Sequence, residues 1–488
     1  MAGRVDGYGA RRGRAREAAA RHLDHREVAL ILFKLFHASR RTARRVTGAL
    51  IVGTLVTAPA AVRAQDTARA DSLSPDSLAA RLARAEAAIA ALRQQLATES
   101  QSTVHTRSRL QLELTGRILT NAFATFGRAN NVDVPLVALA PSNVEETDAF
   151  GVTARQTRIG GVATVLDVLG GEFIGDLELD FFGGVQNGPG DRRLFPEPRI
   201  RTTRARLRWS RTEIMVGLDD PLVSLLNPVS IAASGVPEFS GSGNLWNWLG
   251  QIRVSQDIGS VRLASAPVRF AVQGGLIAPY SGSQYPGEPD AVDAGERSGR
   301  PAFEARMQAQ WGDSSRIGGT DASIGDGGGE IGLGTHRGWV ANGEGGLETS
   351  YAITMDARIS FTRWLELRGE GYSGRLLRGL GGGGIGQAFG KSTSTDDLGP
   401  AIRDHAGWAQ LNAQVLRPLL AGTGCGIDVV NDADRPTRRR NTVCAAHLLW
   451  RPAEPIVIGL EFRQVRTLFD TGATGRVSHL NLGLGFEL

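Results

Sequence analysis

The side chains of this 488-residue chain whose types and spacing carry chemistry are charged residues at alternate positions. Glu172, Asp176, Glu178 and Asp180 share one parity, and Arg204, Arg206 and Arg208 share another a short way downstream. In an extended strand, side chains two apart point the same way, so each set forms a row on one face. Arg158, Arg253 and Arg269 extend the basic side. Rows of opposite charge on neighbouring strands either pair across the strands and largely cancel, or set up a transverse field that sorts solutes by charge.

Covalent chemistry finds less to work with. A serine nucleophile needs a histidine within hydrogen-bond reach and a third polar group to orient it. His336 and His479 sit at the parity of the polar faces of their strands, Ser478 falls on the face opposite its neighbour His479, and no Gly-x-Ser-x-Gly turn follows residue 64. No enzyme activity is expected. The Gly-rich stretch from Gly379 ends Gly390-Lys391-Ser392, but Ile385 stands where a phosphate loop needs its first Gly, so it reads as a flexible external loop. Cys425 and Cys444 are equidistant from a turn near 434, which would set them opposite each other in a hairpin as a disulfide. With His447 the one soft ligand nearby, a metal site is not expected, and neither is a cofactor.

The charge balance argues against nucleic acid. Residues 1–64 hold 13 of the 55 Lys and Arg and 4 of the 50 Asp and Glu, leaving 42 basic against 46 acidic residues, a net of −4, in the rest. The basic segment is an address rather than a binding patch. Arg40, Arg41, Arg44 and Arg45 precede the uncharged run 46–62, and Arg63-Ala64-Gln65 follows it, the pattern of a secretory signal peptide. Residues 65–74 read as a linker. Ser74-Pro75 then opens a helix over 75–100 in which Leu78, Leu82, Ala85, Ile89, Leu92 and Leu96 make a heptad seam, a short coiled coil for self-association.

From about residue 105 to 488 the period falls to two. Leu480, Leu482, Leu484, Phe486 and Leu488 alternate with polar residues and Gly, and the same alternation runs through 303–311 and 351–361. Strands of about ten residues suit a tilted crossing of hydrocarbon, whereas sandwich strands average five or six. Long connections at 127–151, 183–198, 219–249, 278–300, 340–348, 374–404, 431–441 and 469–477 alternate with short ones such as 169–170, 211, 362 and 452–454. The inward connection 312–328 is longer than that pattern, and 424–430 is a weak strand. The fold class is all-β: a transmembrane antiparallel barrel of about 16 strands, within 14–18, and the final strand carries Phe486 close to residue 488 in the manner of an outer-membrane assembly signal.

With the signal segment, the coil, Arg155-Gln-Thr-Arg158-Ile-Gly160-Gly161 and the strand 171–181 together, the chain resembles the outer-membrane general porins, nearest in layout to the DcaP-like trimeric porins. The resemblance implies a homotrimer in outer-membrane lipid, a periplasmic coil, and passive diffusion of small hydrophilic solutes. With apolar faces outward, the charged rows point into the lumen, six Arg against four acids, which favours anions such as phosphate or dicarboxylates unless the rows pair into a wall that mostly neutralises itself. Segment 219–249, apolar from Leu222 to Ile231 and ending Leu245-Trp246-Asn247-Trp248, either narrows the lumen or packs on a neighbouring subunit. The alternative function is a structural or adhesive surface barrel without an open pore.

Overall fold

The computed structural model describes residues 103–105 and 110–488, apart from 143–147, 184–190, 264–265, 285–291, 313–327, 343–344 and 394–397. The expected signal segment, linker and coil lie outside the described residues. Sixteen strands build the wall: β1 (Leu110–Phe126), β2 in two segments (Ala149–Thr153 and Arg158–Val168), β3 (Gly171–Gly183), β4 (Glu197–Arg208), β5 (Thr212–Asp219), β6 (Leu249–Leu263), β7 (Ala266–Ile277) and β8 (Ala302–Trp311). They continue as β9 (Gly329–Ala341), β10 (Leu347–Thr362), β11 (Leu365–Arg375), β12 (Arg403–Leu416), β13 (Leu419–Val430), β14 (Arg438–Trp450), β15 (Ile456–Phe469) and β16 (Thr474–Glu487). Each pairs antiparallel with the next, and β16 returns to β1 with Ser478 opposite Phe126 and Glu487 opposite Arg117. The barrel is closed and has no free edge. A three-residue strand, Thr103–His105, pairs with β1 at Gln111 to Glu113.

The burial pattern is inverted relative to a protein that folds around an apolar core in water. On β10, Ala352, Thr354 and Asp356 are each 1% exposed, while their outward neighbours Ile353 and Met355 are 71% and 47% exposed. Such a surface is stable against hydrocarbon rather than water. Trp311, Phe361, Trp364, Trp450 and Phe486 ring the outer wall at the end that carries the short turns, as amphipathic aromatics do at a lipid boundary. The long connections other than 312–328 leave the strands at the other end.

Two departures from the sequence periodicity have local causes. β6 runs on to Leu263, so the connection to β7 is shorter than the alternation suggests. Gly259, at φ 116°, sits in a register shift after Asp257, and the parity of the strand changes there. The weak segment 424–430 is the second half of a full strand, β13. Its inward positions 422, 424 and 426 are all Gly, which removes the polar half of the pattern.

If the outward face meets lipid, Ile353→Arg near mid-wall should lower the free energy of folding into bilayers by about 2–4 kcal/mol. Urea titration in vesicles, followed by the heat-dependent gel shift of the folded barrel, measures it.

Candidate functional site

The acidic row of β3 and the basic row of β4 meet on the inner face. Register places Asp176 opposite Arg204 and Glu172 opposite Arg208. Arg204 donates to Asp176 at 2.6 Å and to Asp219, at the end of β5, at 3.1 Å. Arg206 reaches the other oxygen of Asp176 at 2.8 Å, and Arg253 of β6 donates to Asp219 at 2.9 Å. Arg208 pairs with Glu213 at 2.9 Å and lies 3.9 Å from Glu172. Arg158 of β2 lies 3.7 Å from Glu178, and Arg269 of β7 lies 3.8 Å from Asp257. The structure thus brings the sequence-selected residues together on one sector of the inner wall, β2 to β7, each acid held by at least one guanidinium.

Arg199 and Arg201 were missed by the parity argument, which assigns them to the outer face. Glu178 faces Thr202 while Leu179 faces Ile200, so Arg201 is an extra residue, a bulge that turns both arginines inward. Arg199 donates to Asp180 at 2.7 Å. Arg201 bonds Asp180 at 3.1 Å and also pairs with Glu178. Trp248 lies beneath both guanidiniums, 4.1 Å from Arg201 and 5.0 Å from Arg199. The sequence pattern carries no signal for this bulge, since an outward arginine so near the long-connection end costs only about 0–1 kcal/mol.

The connection 220–248 folds into the barrel. A backbone taken inside must satisfy its N–H groups there, and inward carboxylates and amides do so. Glu461 of β15 accepts from Ser230 Oγ at 2.7 Å, from Ile231 N at 2.6 Å and from Ala232 N at 3.1 Å. Gln156, in the break of β2, accepts from Ser234 N and Gly235 N at 2.8 and 2.9 Å and donates to the Ala232 carbonyl at 2.8 Å. Glu304 accepts from Leu222 N at 2.7 Å, and Glu370 from Ser224 Oγ and Asn244 Nδ2 at 2.8 and 2.9 Å. Glu238 on the loop lies 3.6 Å from Arg463, and burial pushes its carboxyl up to about 8 against that pull. Inward glycines make room: a Cβ on Gly459 or Gly483 would strike Ile231, and one on Gly426 the Ser242 carbonyl. Leu222, Val223, Ile231, Phe239 and Leu245 are consequently buried inside the barrel.

The remaining motifs resolve differently. Cys425 and Cys444 are register partners joined by a disulfide, and they share the outward face, while the His447 side chain is buried on the inner one. Lys391 pairs with Asp470 and holds that carboxyl below its usual range. His479 bonds Thr125 Oγ1 at 2.7 Å. His336 has a partner that linear spacing could not show: Ser350 Oγ lies 3.2 Å from Nε2, and Glu304 lies 2.9 Å from Nδ1. This has the order of a serine–histidine–carboxylate relay. Yet Ser350 is 5% exposed, its hydroxyl reaches the Leu376 carbonyl at 3.3 Å, and Glu304 also holds Leu222 N. The three side chains tie β8, β9 and β10 together beneath a buried loop.

No family model matches the sequence, and no curated protein matches it. Among solved structures, the outer membrane channel DcaP of Acinetobacter baumannii aligns with a TM-score of 0.57 at 12% identity, covering 79% of this chain and 100% of that one. In fold, this chain resembles DcaP. The anion-selective porin from Comamonas acidovorans (TM-score 0.46, 13% identity, 78% of this chain and 100% of that one) also aligns. So does OmpF of Salmonella typhi (TM-score 0.48, 9% identity, 79% and 100%), and scores at this level add no argument of their own.

Two outcomes follow for the DcaP-like barrel. Glu461→Ala should lower stability by about 2–3 kcal/mol, because buried donors lose their acceptor, and should expose 228–235 to limited proteolysis. A fluorophosphonate probe should label the native protein no more than Ser350→Ala.

Proposed function

We propose that the chain is an outer-membrane porin, a passive path for small hydrophilic solutes with a mild preference for anions such as phosphate or dicarboxylates. The observation that carries the preference is an asymmetry of exposure in the ladder. Asp176, Asp180 and Asp219 are at most 5% exposed beneath their arginines, whereas Arg199, Arg204, Arg206, Arg208 and Arg269 are 20–61% exposed. Glu172, Glu178 and Asp257, at 32–37%, are the better exposed acids of the same sector. Cross-strand pairing removes most of the net charge. Arg158, Arg201 and Arg253 are largely buried along with the three aspartates, and five better exposed guanidiniums then stand against three carboxylates. The face that meets solute therefore carries a positive excess.

The apolar outer wall fits a lipid bilayer. On this proposal the segment 1–64 directs export, and the coil at 75–100 holds a homotrimer on the periplasmic side. Solutes pass without reaction and without a cofactor. A second reading, a surface barrel that does not conduct, draws on the loop 220–248, which touches the wall from β1 and β2 round to β15.

Reconstitution in a planar bilayer under a salt gradient separates them. The porin reading expects openings in steps of three and an anion-biased reversal potential, larger at about 0.1 M than at about 1 M salt because the screening length falls from roughly 10 to 3 Å. Arg204→Gln with Arg206→Gln should move the reversal potential toward zero. Equal permeability to both ion signs would remove the anion preference. A folded barrel that never conducts would favour the second reading.

A further inference from the structure

The outer wall carries a charge cluster that the lumen does not use. On β15 the inward residues Glu461, Arg463 and Val465 are buried, and the outward row runs Ile458, Leu460, Phe462, Gln464, Arg466. On β16 the outward row climbs through Leu484, Leu482, Leu480 and Ser478 to Arg476. Arg466 and Arg476 are direct register partners and both are exposed. Arg440 of β14 is exposed on the same side, two residues from Thr442, which faces Arg466. Like charges set directly opposite each other destabilise a strand pair. The nearby carboxylates are already engaged, Asp470 by Lys391 and Asp432 by Arg439. Among the described residues no acid stands on the outward positions of β14, β15, β16 or of β1 from Ile118 to Phe126.

Height supplies the partner's chemistry. Ile456 faces Phe486 in the aromatic ring at the short-turn end. Arg466 is ten residues further along β15, which at about 3.3 Å per residue and a tilt of 35–45° is roughly 25 Å up the wall, the thickness of the apolar band. The arginines thus stand where hydrocarbon gives way to headgroups, above Phe462 and Leu480. We infer that Arg466 and Arg476, supported by Arg440, bind a phosphate-bearing lipid headgroup of the outer leaflet. Two guanidinium forks match phosphate oxygens bidentately and relieve each other's repulsion when an anion lies between them. The inference rests on the membrane placement proposed above and not on conduction.

The test uses the full chain in phosphatidylcholine nanodiscs, titrated with a bis-phosphorylated glucosamine lipid and with its dephosphorylated form, and read by native mass spectrometry. Arg466→Gln with Arg476→Gln should weaken binding of the phosphorylated lipid roughly ten- to thirtyfold. Arg466→Lys with Arg476→Lys, which keeps the charge but loses the forks, should fall between the native chain and the Gln pair, and Arg208→Gln on the inner wall should change nothing. The dephosphorylated lipid should bind all variants alike. Unchanged binding in the Gln pair would overturn the proposal, as would displacement of the lipid by inorganic phosphate at equal concentration. A change of subunit number with lipid binding intact would also overturn it, making the patch a protein contact. Failure of the chain to enter nanodiscs at all would defeat the membrane placement itself, which distinguishes the two.

Discussion

A chain that folds back into a closed barrel carries its backbone amides with it, and each must find a partner away from bulk water. Much of the interior of this protein follows from that constraint. Glu461, Glu370, Glu304 and Gln410 stand on separate strands and Gln156 in the break of β2, and each accepts from the 220–248 connection. The wall supplies acceptors where the loop presents N–H groups and glycine where its side chains press. Gly459 and Gly483 leave the space that Ile231 fills. The inner face is therefore of two kinds: a packed part under the loop, with apolar clusters around Val229, Ile231 and Leu226, and a charged sector from β2 to β7.

The charged sector obeys a different rule. Arginine and carboxylate rows on adjacent strands pair at 2.6–3.1 Å where register allows, and the bulge at Arg201 adds two more arginines to the row. Trp248, at the end of the loop, lies against Arg199 and Arg201. Loop and ladder thus meet at one place. Substitutions at Trp248 would disturb both the plate of loop and the arginines beside it.

Most of the wall was legible in the sequence because one face is apolar and the period of two is strict. β1 ends at Phe126, where the expected connection 127–151 begins. Legibility failed where a residue changed the parity or removed the contrast. Gly259 shifts register within β6, the bulge at Arg201 reverses the face of Arg199, and the inward glycines of β13 left nothing to alternate. Strand parity selects the inward acids and arginines that register then pairs, as Asp176 with Arg204, but it leaves out Glu213, Asp219 and Asp257, which also hold these arginines. Ser350 beside His336 was not legible either, because the contact is diagonal across β9 and β10 and depends on register. The loop's apolar run, Leu222 to Ile231, marked it as unusual for a water-facing connection. Which surface it packed on depended on Gly459 and Gly483, more than two hundred residues away.

In a pore built this way, the 220–248 connection sets the bore of the barrel. Solute exclusion in single-channel recordings, using neutral polyethylene glycols of increasing size, measures that bore directly. The native chain should exclude polymers that still enter a chain shortened between Val223 and Asn244. Equal cut-offs for the two chains would contradict it.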